Sequence, residues 1–226
     1  MARKFAASYS GGKDSVLAIY KAIQQGNQLI ALITTYNKDK DRSWFHGLPK
    51  PLLESVSESL DVPSWLIETT GKEYAENFEK SLLRVKEHGV DACVFGDIDI
   101  EEHREWCNER CQAVGIEAVF PLWNKNRKEL VYEFIDNGFT ANITVIDTNR
   151  LGEHFLGQKI TKTMVDQIEA YGADICGENG EYHTFVSEGP IFSKPIDFLF
   201  KEKIIEDNYA ILPISVAKNP IHGVLE

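Results

Sequence analysis

The chain has 226 residues, 43% of them apolar and 26% charged, a globular composition that excludes collagenous, low-complexity and disordered chains. Its 24 Lys and Arg stand against 35 Asp and Glu, a formal charge of −11, which argues against a nucleic-acid coat but leaves room for one local anion site. One large domain or two small ones fit this length without disulfide staples. No apolar run approaches the roughly 20 residues that span a bilayer, and the start MARKFAASYSGGKDS has no apolar leader, so a cytoplasmic protein is expected.

Phe5 opens a short apolar run through Tyr9 that ends at Ser10, Gly11 and Gly12. Val16, Leu17, Ile19, Tyr20 and Ile23 then keep a helical spacing, with Gly26 as the stop. Residues 29–36 (LIALITTY) form a β-branched run suited to a strand buried on both faces. Residues 37–51 are polar, contain two prolines and read as a long loop. A helix over 52–60, a strand over 64–69, a helix over 73–88, a strand over 92–95, a helix over 100–114 and a strand over 116–120 follow. Strands alternating with helices imply βαβ units, and hence an open parallel sheet with helices on both faces.

After Trp123 the rhythm changes. The basic stretch 124–128 suits a linker, so an α/β domain over 1–125 and a smaller α+β domain over 126–226 are expected. The second would hold helices at 128–136 and 161–171, a strand at 140–147, a polar loop at 177–184, and clustered strands at 185–186, 196–200 and 210–216. Cys93, Cys107, Cys111 and Cys176 show no CxxC and no zinc spacing, so reduced buried thiols are expected.

The strongest chemical signal is residues 10–15 (SGGKDS), at the first strand–helix junction. A helix N-terminus there offers unpaired N–H groups and a positive dipole end. Gly11 and Gly12 allow close backbone approach, Ser10 and Ser15 add hydroxyls, and Lys13 adds charge. This is a polyphosphate cradle, although neither a Walker A loop nor a dinucleotide fingerprint. Asp97 follows a strand end and is placed for the same cleft rim; it and Asp14 suit Mg²⁺, or else helix capping and the first-turn dipole. Residues 177–184 hold two carboxylates, a phenol, an imidazole and a hydroxyl within one loop. Glu178 and Glu181 suit an attacking amine or Mg²⁺, and His183, with an unperturbed pKa near 6.5, suits proton acceptance.

SGGKDS resembles the PP-loop of the N-type ATP pyrophosphatases. Further segments resemble the diphthine–ammonia ligase-like branch of that group: residues 177–186, Gly96-Asp97-Ile98 with His103-Arg104-Glu105-Trp106, Pro121-Leu122-Trp123, Trp44-Phe45-His46, and Gly189-Pro190-Ile191-Phe192. The resemblance runs from Phe5 to about Pro195. It implies a PP-loop, HUP-like Rossmannoid domain followed by a family-specific domain, with the active site between them. It also implies a ligase that adenylates a carboxylate with ATP, releasing pyrophosphate, and aminates it with ammonia.

On that reading Ser10, Gly11, Gly12, Lys13, Asp14, Ser15, Gly96 and Asp97 hold ATP, with Mg²⁺ on Asp14 and Asp97. Lys13, Asp14, Glu178, Glu181 and His183 act in catalysis. His46, His103, Arg104, Asn179, Tyr182 and Thr184 meet the acceptor. At Asn179 and His183 the chain departs from the branch's commoner Gly and acidic residue, so the resemblance carries the reaction class further than diphthine itself. The expected partners are ATP, free ammonia and a carboxylate acceptor, without membrane or nucleic acid; oligomeric state, including a homo-oligomer, is left open. Two alternatives stand: a PP-loop tRNA-modifying enzyme, which would want a basic face and a reactive cysteine, and an ATP- or AMP-binding module without turnover.

Overall fold

The computed structural model describes residues 2–44 and 46–217. Phe45, the middle of the Trp44-Phe45-His46 segment, and His222 lie outside the described residues. Strand β1 (Lys4–Ser8) leads into helix α1 (Lys13–Gln24), and β2 (Gln28–Asn37) follows. A two-residue strand β3 (Arg42–Ser43), helix α2 (Lys50–Leu60), β4 (Ser64–Thr69), α3 (Tyr74–Glu87), β5 (Ala92–Val94), α4 (Glu101–Val114) and β6 (Glu117–Val119) complete the first half. β4, β2, β1, β5 and β6 lie side by side in that order, all parallel.

β3 corrects the long loop expected over 37–51. It pairs antiparallel with the end of β2, Tyr36 against Ser43, so the sheet is mixed at that point. The Asn37 side chain accepts from the Asp39 and Lys40 amides at 3.0 Å each, and Asp41 takes φ 49°, which turns the chain back. Two paired residues are too few for any periodicity to announce them.

The second half holds α5 (Arg127–Asp136), β7 (Thr140–Asp147), a 3₁₀ turn (Glu153–Phe155), α6 (Lys162–Tyr171), β8 (Tyr182–Glu188), β9 (Phe198–Phe200), β10 (Ile204–Glu206), β11 (Tyr209–Ile211) and β12 (Ile214–Val216). Asn126 caps α5 through the Glu129 amide, and Thr161 caps α6 through the Met164 amide. One antiparallel sheet runs β10-β11-β7-β8, and β12 pairs with β9 apart from it.

Two expectations fail here. The run 210–216 is two strands in different sheets, because Pro213 has no N–H to donate and the chain changes partners there: the Leu212 amide bonds Thr144, while the Pro213 carbonyl accepts from Lys201. Residues 182–184 are not loop but the first part of β8, laddered to β7 with Tyr182 opposite Ile146 and His183 opposite Val145.

Two buried clusters flank the parallel sheet. One joins Phe5, Val16, Leu17 and Ile19 to Phe134, Phe139, Ile143 and Phe185, so a single core runs through both halves of the chain. The other packs Ile33, Phe78, Leu82 and Phe95 with Cys93, Cys107 and Cys111 on the opposite face. All four cysteines are free and buried, as their spacing suggests.

Candidate active site

β1 and β5 are neighbours whose connecting helices leave on opposite faces: α1 packs into the first cluster and α4 into the second. A crevice opens beyond the carboxyl ends of two such strands. The turn after β1 brings residues 10–15 there, and the turn after β5 brings Gly96 and Asp97. Gly96 is needed because a Cβ on it would lie 2.7 Å from the Ser15 amide nitrogen and 2.9 Å from the Asp14 carbonyl carbon. The two turns touch main chain to main chain.

The cradle is already closed by hydroxyls. The Gly12 amide donates to Ser10 Oγ at 3.2 Å and the Lys13 amide to Thr184 Oγ1 at 3.1 Å. The Ser15 hydroxyl donates to the Gly12 carbonyl at 2.9 Å. Gly11 takes φ +90°, and a Cβ there would meet Leu48 at 2.2 Å; one on Gly12 would meet His46 at 2.3 Å. The close approach that the glycines permit is therefore made by Leu48 and His46, and neither glycine lines the crevice. This differs from the phosphate approach that their sequence suggests.

Lys13 is 4% exposed. Its Nζ donates to Asp14 Oδ2 at 2.8 Å and to the Cys176 carbonyl, and lies 5.2 Å from the Tyr182 ring centre. Burial opposes its charge, but Asp14, Tyr182 and Cys176 outweigh that and raise its pKa. The lysine is thus a fixed cation joining α1 to the second half of the chain.

The crevice has a volume of about 800 Å³. Of the residues expected in it, Ser10, Lys13, Asp14, Ser15, His46, Gly96, Asp97, His103, Glu178, Asn179, Tyr182, His183 and Thr184 line it. Arg104 and Glu181 do not. Arg104 stacks its guanidinium 4.6 Å from the Trp123 ring centre and 5.9 Å from that of Phe120. Glu181, 6% exposed, turns back to accept from the Asn179 amide at 3.2 Å and from its side chain at 3.3 Å, which shapes the turn. Tyr182 lines the wall mainly by its ring, since its hydroxyl donates to the Ile175 carbonyl at 2.5 Å.

The carboxylates carry the electrostatics. Burial pushes Glu178 up to about 7, with Asp14 adding and the Ile98 amide and Lys13 opposing. The Ile98 amide donates to Glu178 Oε1 at 3.2 Å. Arg127 fixes the same loop: it bonds Asp99 twice, at 2.8 and 2.5 Å, and Asp174 at 2.6 Å, and Asp174 accepts the Glu178 amide at 2.8 Å. Burial also lifts Asp97 above its ordinary value, Asp14 adding and His103, 3.5 Å away, opposing.

The histidines shift the other way. Burial and then Lys13 lower His183 to about 4; burial, His183 and Lys13 lower His46 to about 3. Their ring centres are 4.8 Å apart, and His46 Nδ1 lies 2.8 Å from the Thr184 carbonyl, so that nitrogen carries the hydrogen. His183 is therefore neutral at neutral pH and a weaker base than a free imidazole.

Among the described residues no group of three or more His, Cys, Asp or Glu is placed to hold a metal. Asp14 and Asp97 both face the crevice, and with Glu178 they carry mutually unfavourable negative charge. That donor set fits Mg²⁺ held by one or two carboxylates together with phosphate oxygens.

Several lining residues escape the sequence reading. Tyr74, Trp106, Cys107 and Tyr209 reach the crevice, and so does Glu102, which reads as plain solvated surface. Of these, Trp106 carried a signal, as the last residue of the His103-Arg104-Glu105-Trp106 segment.

Residues 3–118 match the family described as diphthamide synthase N-terminal domain, and residues 126–219 that described as diphthamide synthase C-terminal domain. The diphthine–ammonia ligase of Rattus norvegicus is 24% identical over 94% of this chain and 89% of its own length. That of Danio rerio is 26% identical over 91% and 90%. That of Saccharomyces cerevisiae is 25% identical over 84% of this chain and 33% of itself. No helix among the described residues is long and apolar enough to cross a membrane. With both family domains matched in order, and with the cradle, the carboxylates and residues 177–184 meeting in one crevice, the chain belongs to the diphthamide synthase family.

Proposed function

We propose that the protein is an ATP-dependent ligase that activates a carboxylate as its adenylate and converts it to an amide with ammonia. The observation that carries this is the meeting of the α1 N-terminus, the Asp97 turn and Glu178 in one crevice at the switch point of the sheet. Residues 1–125 would hold the nucleotide and residues 126–226 would supply the acceptor side. The hydroxyl of Thr184, which lines the crevice, sits where a phosphate oxygen would take over the Lys13 amide.

In the first step a carboxylate oxygen attacks the α-phosphorus of ATP, the α–β phosphoanhydride bond breaks, and pyrophosphate leaves with the electron pair. Lys13, fixed and charged, stabilises the departing negative charge without reorganising. Asp14 and Asp97 would hold Mg²⁺, which when bound neutralises the phosphates. In the second step ammonia attacks the acyl carbon, AMP leaves, and the proton shed by nitrogen goes to Glu178. A carboxylate poised at about 7 suits that transfer better than His183 at about 4. His183, neutral and paired with His46, orients rather than titrates.

The tRNA-modifying alternative would use Cys176, the crevice thiol of the second half; burial raises its pKa, which disfavours the thiolate that such chemistry needs. The test is ATP–pyrophosphate exchange across a panel of carboxylates, diphthine-bearing peptide among them. Exchange that depends on one acceptor supports the ligase; none with any acceptor, alongside intact ATP binding, leaves the turnover-free module as the better reading.

A further inference from the structure

The crevice has two chemically different ends. Its polar groups come mainly from the start of α1, the turn after β5 and residues 176–184, joined by His46 and by Glu102 and His103 in the first turn of α4. Its apolar groups come from Phe95 and from the facing sides of α3 and α4: Tyr74, Phe78, Ile100 and Trp106. α1 packs on one face of the sheet while Phe78 and Trp106 pack on the other, so the crevice crosses the strand ends from one face to the other.

A nucleotide with its phosphates at α1 has two directions for its base. Toward residues 176–184 it meets Glu178, Asn179 and His183, the groups suited to a carboxylate and ammonia. Toward α3 and α4 it meets the Tyr74 and Trp106 rings, with Glu102 and His103 from the first turn of α4 beside them. The two rings are held in place before any ligand arrives. Tyr74 and Trp106 have ring centres 5.7 Å apart at 51°, and Phe78 backs Trp106 at 5.3 Å. The Tyr74 hydroxyl donates to Thr35 Oγ1 at 3.3 Å, which pins that ring to β2. Fixed aromatic rings bind bases at little entropic cost.

Resting on the ATP reading above, we propose that Tyr74 and Trp106 form the platform for the nucleotide base, leaving the 176–184 end to the acceptor. The side chains are then specificity residues for a nucleoside over bare polyphosphate.

The probes are ATP and inorganic tripolyphosphate, each with Mg²⁺, titrated calorimetrically into wild type, Tyr74→Leu, Trp106→Leu and Tyr74→Phe. ATP affinity should fall roughly ten- to a hundredfold in each Leu variant, the range expected for losing a stacked base. Tripolyphosphate affinity should stay within about twofold, which also shows that the variants fold, and Tyr74→Phe should bind ATP nearly as well as wild type. If wild type binds ATP and both Leu variants bind it equally well, the platform is overturned and the ATP reading stands. Equal losses of ATP and tripolyphosphate overturn it too, since the effect is then general damage. A wild type that binds neither probe overturns the ATP reading and the platform together.

Discussion

The α1 turn and the turn at residues 177–181 both reach the crevice, but they are built differently. The first is mostly local: strand, two glycines and helix follow one another and hydroxyls within five residues close it, while Thr184, the Cys176 carbonyl and the Val186 amide, which bonds the Gly11 carbonyl at 2.9 Å, tie it to the second half of the chain. The second is held from a distance. Arg127 bonds Asp99 and Asp174, Asp174 bonds the Glu178 amide, and Ile98 bonds the Glu178 carboxylate. Function in the first depends on main-chain groups placed by sequence grammar. Function in the second depends on the Glu178 side chain, held by Ile98 from 80 residues away and, through Asp174, by Arg127, which is 47 residues from that aspartate.

The largest effect is expected where the two regions are joined. Lys13→Ala should cut ATP–pyrophosphate exchange by about 10²–10³-fold. It should also lower thermal stability, because the buried Cys176 carbonyl loses its donor, an effect of roughly 1–3 kcal/mol. Exchange near the wild-type rate would separate the α1 turn from the chemistry.

Glu178→Gln tests the second region alone. Amide formation should fall by about 10²-fold or more while pyrophosphate exchange survives. In wild type, amide formation should rise with pH up to about 7 as Glu178 loses its proton, and that limb should vanish in the variant. The stability sign follows from the raised pKa. The folded protein holds the proton more tightly than the unfolded chain, so this group's contribution is present at low pH and is lost as pH rises through about 7. Glu178→Gln should therefore melt higher than wild type at pH 8 and lose that advantage near pH 5. A variant that melts lower at pH 8 would contradict the placement of this carboxylate.

Thr184→Val is a smaller perturbation and bears on the bond between the Thr184 hydroxyl and the α1 turn. The Lys13 amide loses its acceptor, and the ligand-free protein should lose about 1–3 kcal/mol. Saturating ATP should restore most of the difference if phosphate oxygens take that amide. Denaturant melts with and without ATP give the comparison, and an undiminished deficit with bound ATP would argue that the amide serves structure only. Arg104→Ala should have the least effect on turnover, within about twofold, because its guanidinium lies on Trp123 outside the crevice. A large fall in acceptor affinity would return Arg104 to the site.

The same contrast explains what could be read from residues alone. The alternation of strands and helices through Phe120 carried the sheet, and the strand–SGGKDS–helix order carried the location of the crevice. Residues 177–184 announced chemistry by density, but density does not tell which way a side chain turns. Glu181 faces its own turn, and His183 lies in a strand whose register is set by β7. The depressed pKa of His183 and the raised one of Glu178 depend on burial, which arises only when both halves share a core. Tyr74 shares a helical spacing with Phe78, Leu82 and Val85, which marks a packed face and not a site, and Tyr209 had no local pattern; α3 and β11 meet the crevice only through the tertiary fold.

The contact between Gly96 and the start of α1 bears on how such a catalyst diversifies. The turns that carry Asp14 and Asp97 are spaced by backbone resting on backbone, so no rotamer can widen or narrow the gap. On the facing turn Gly177 plays a similar part, since a Cβ there would lie 2.8 Å from the Tyr182 carbonyl oxygen, but Asn179 and His183 reach the crevice by side chains. On the proposed ligase reading, substitutions at Asn179 and His183 would retune the acceptor, while the spacing between the Asp14 and Asp97 turns would keep its dimensions. Gly96, with no side chain to react or bind, would be among the last positions free to drift.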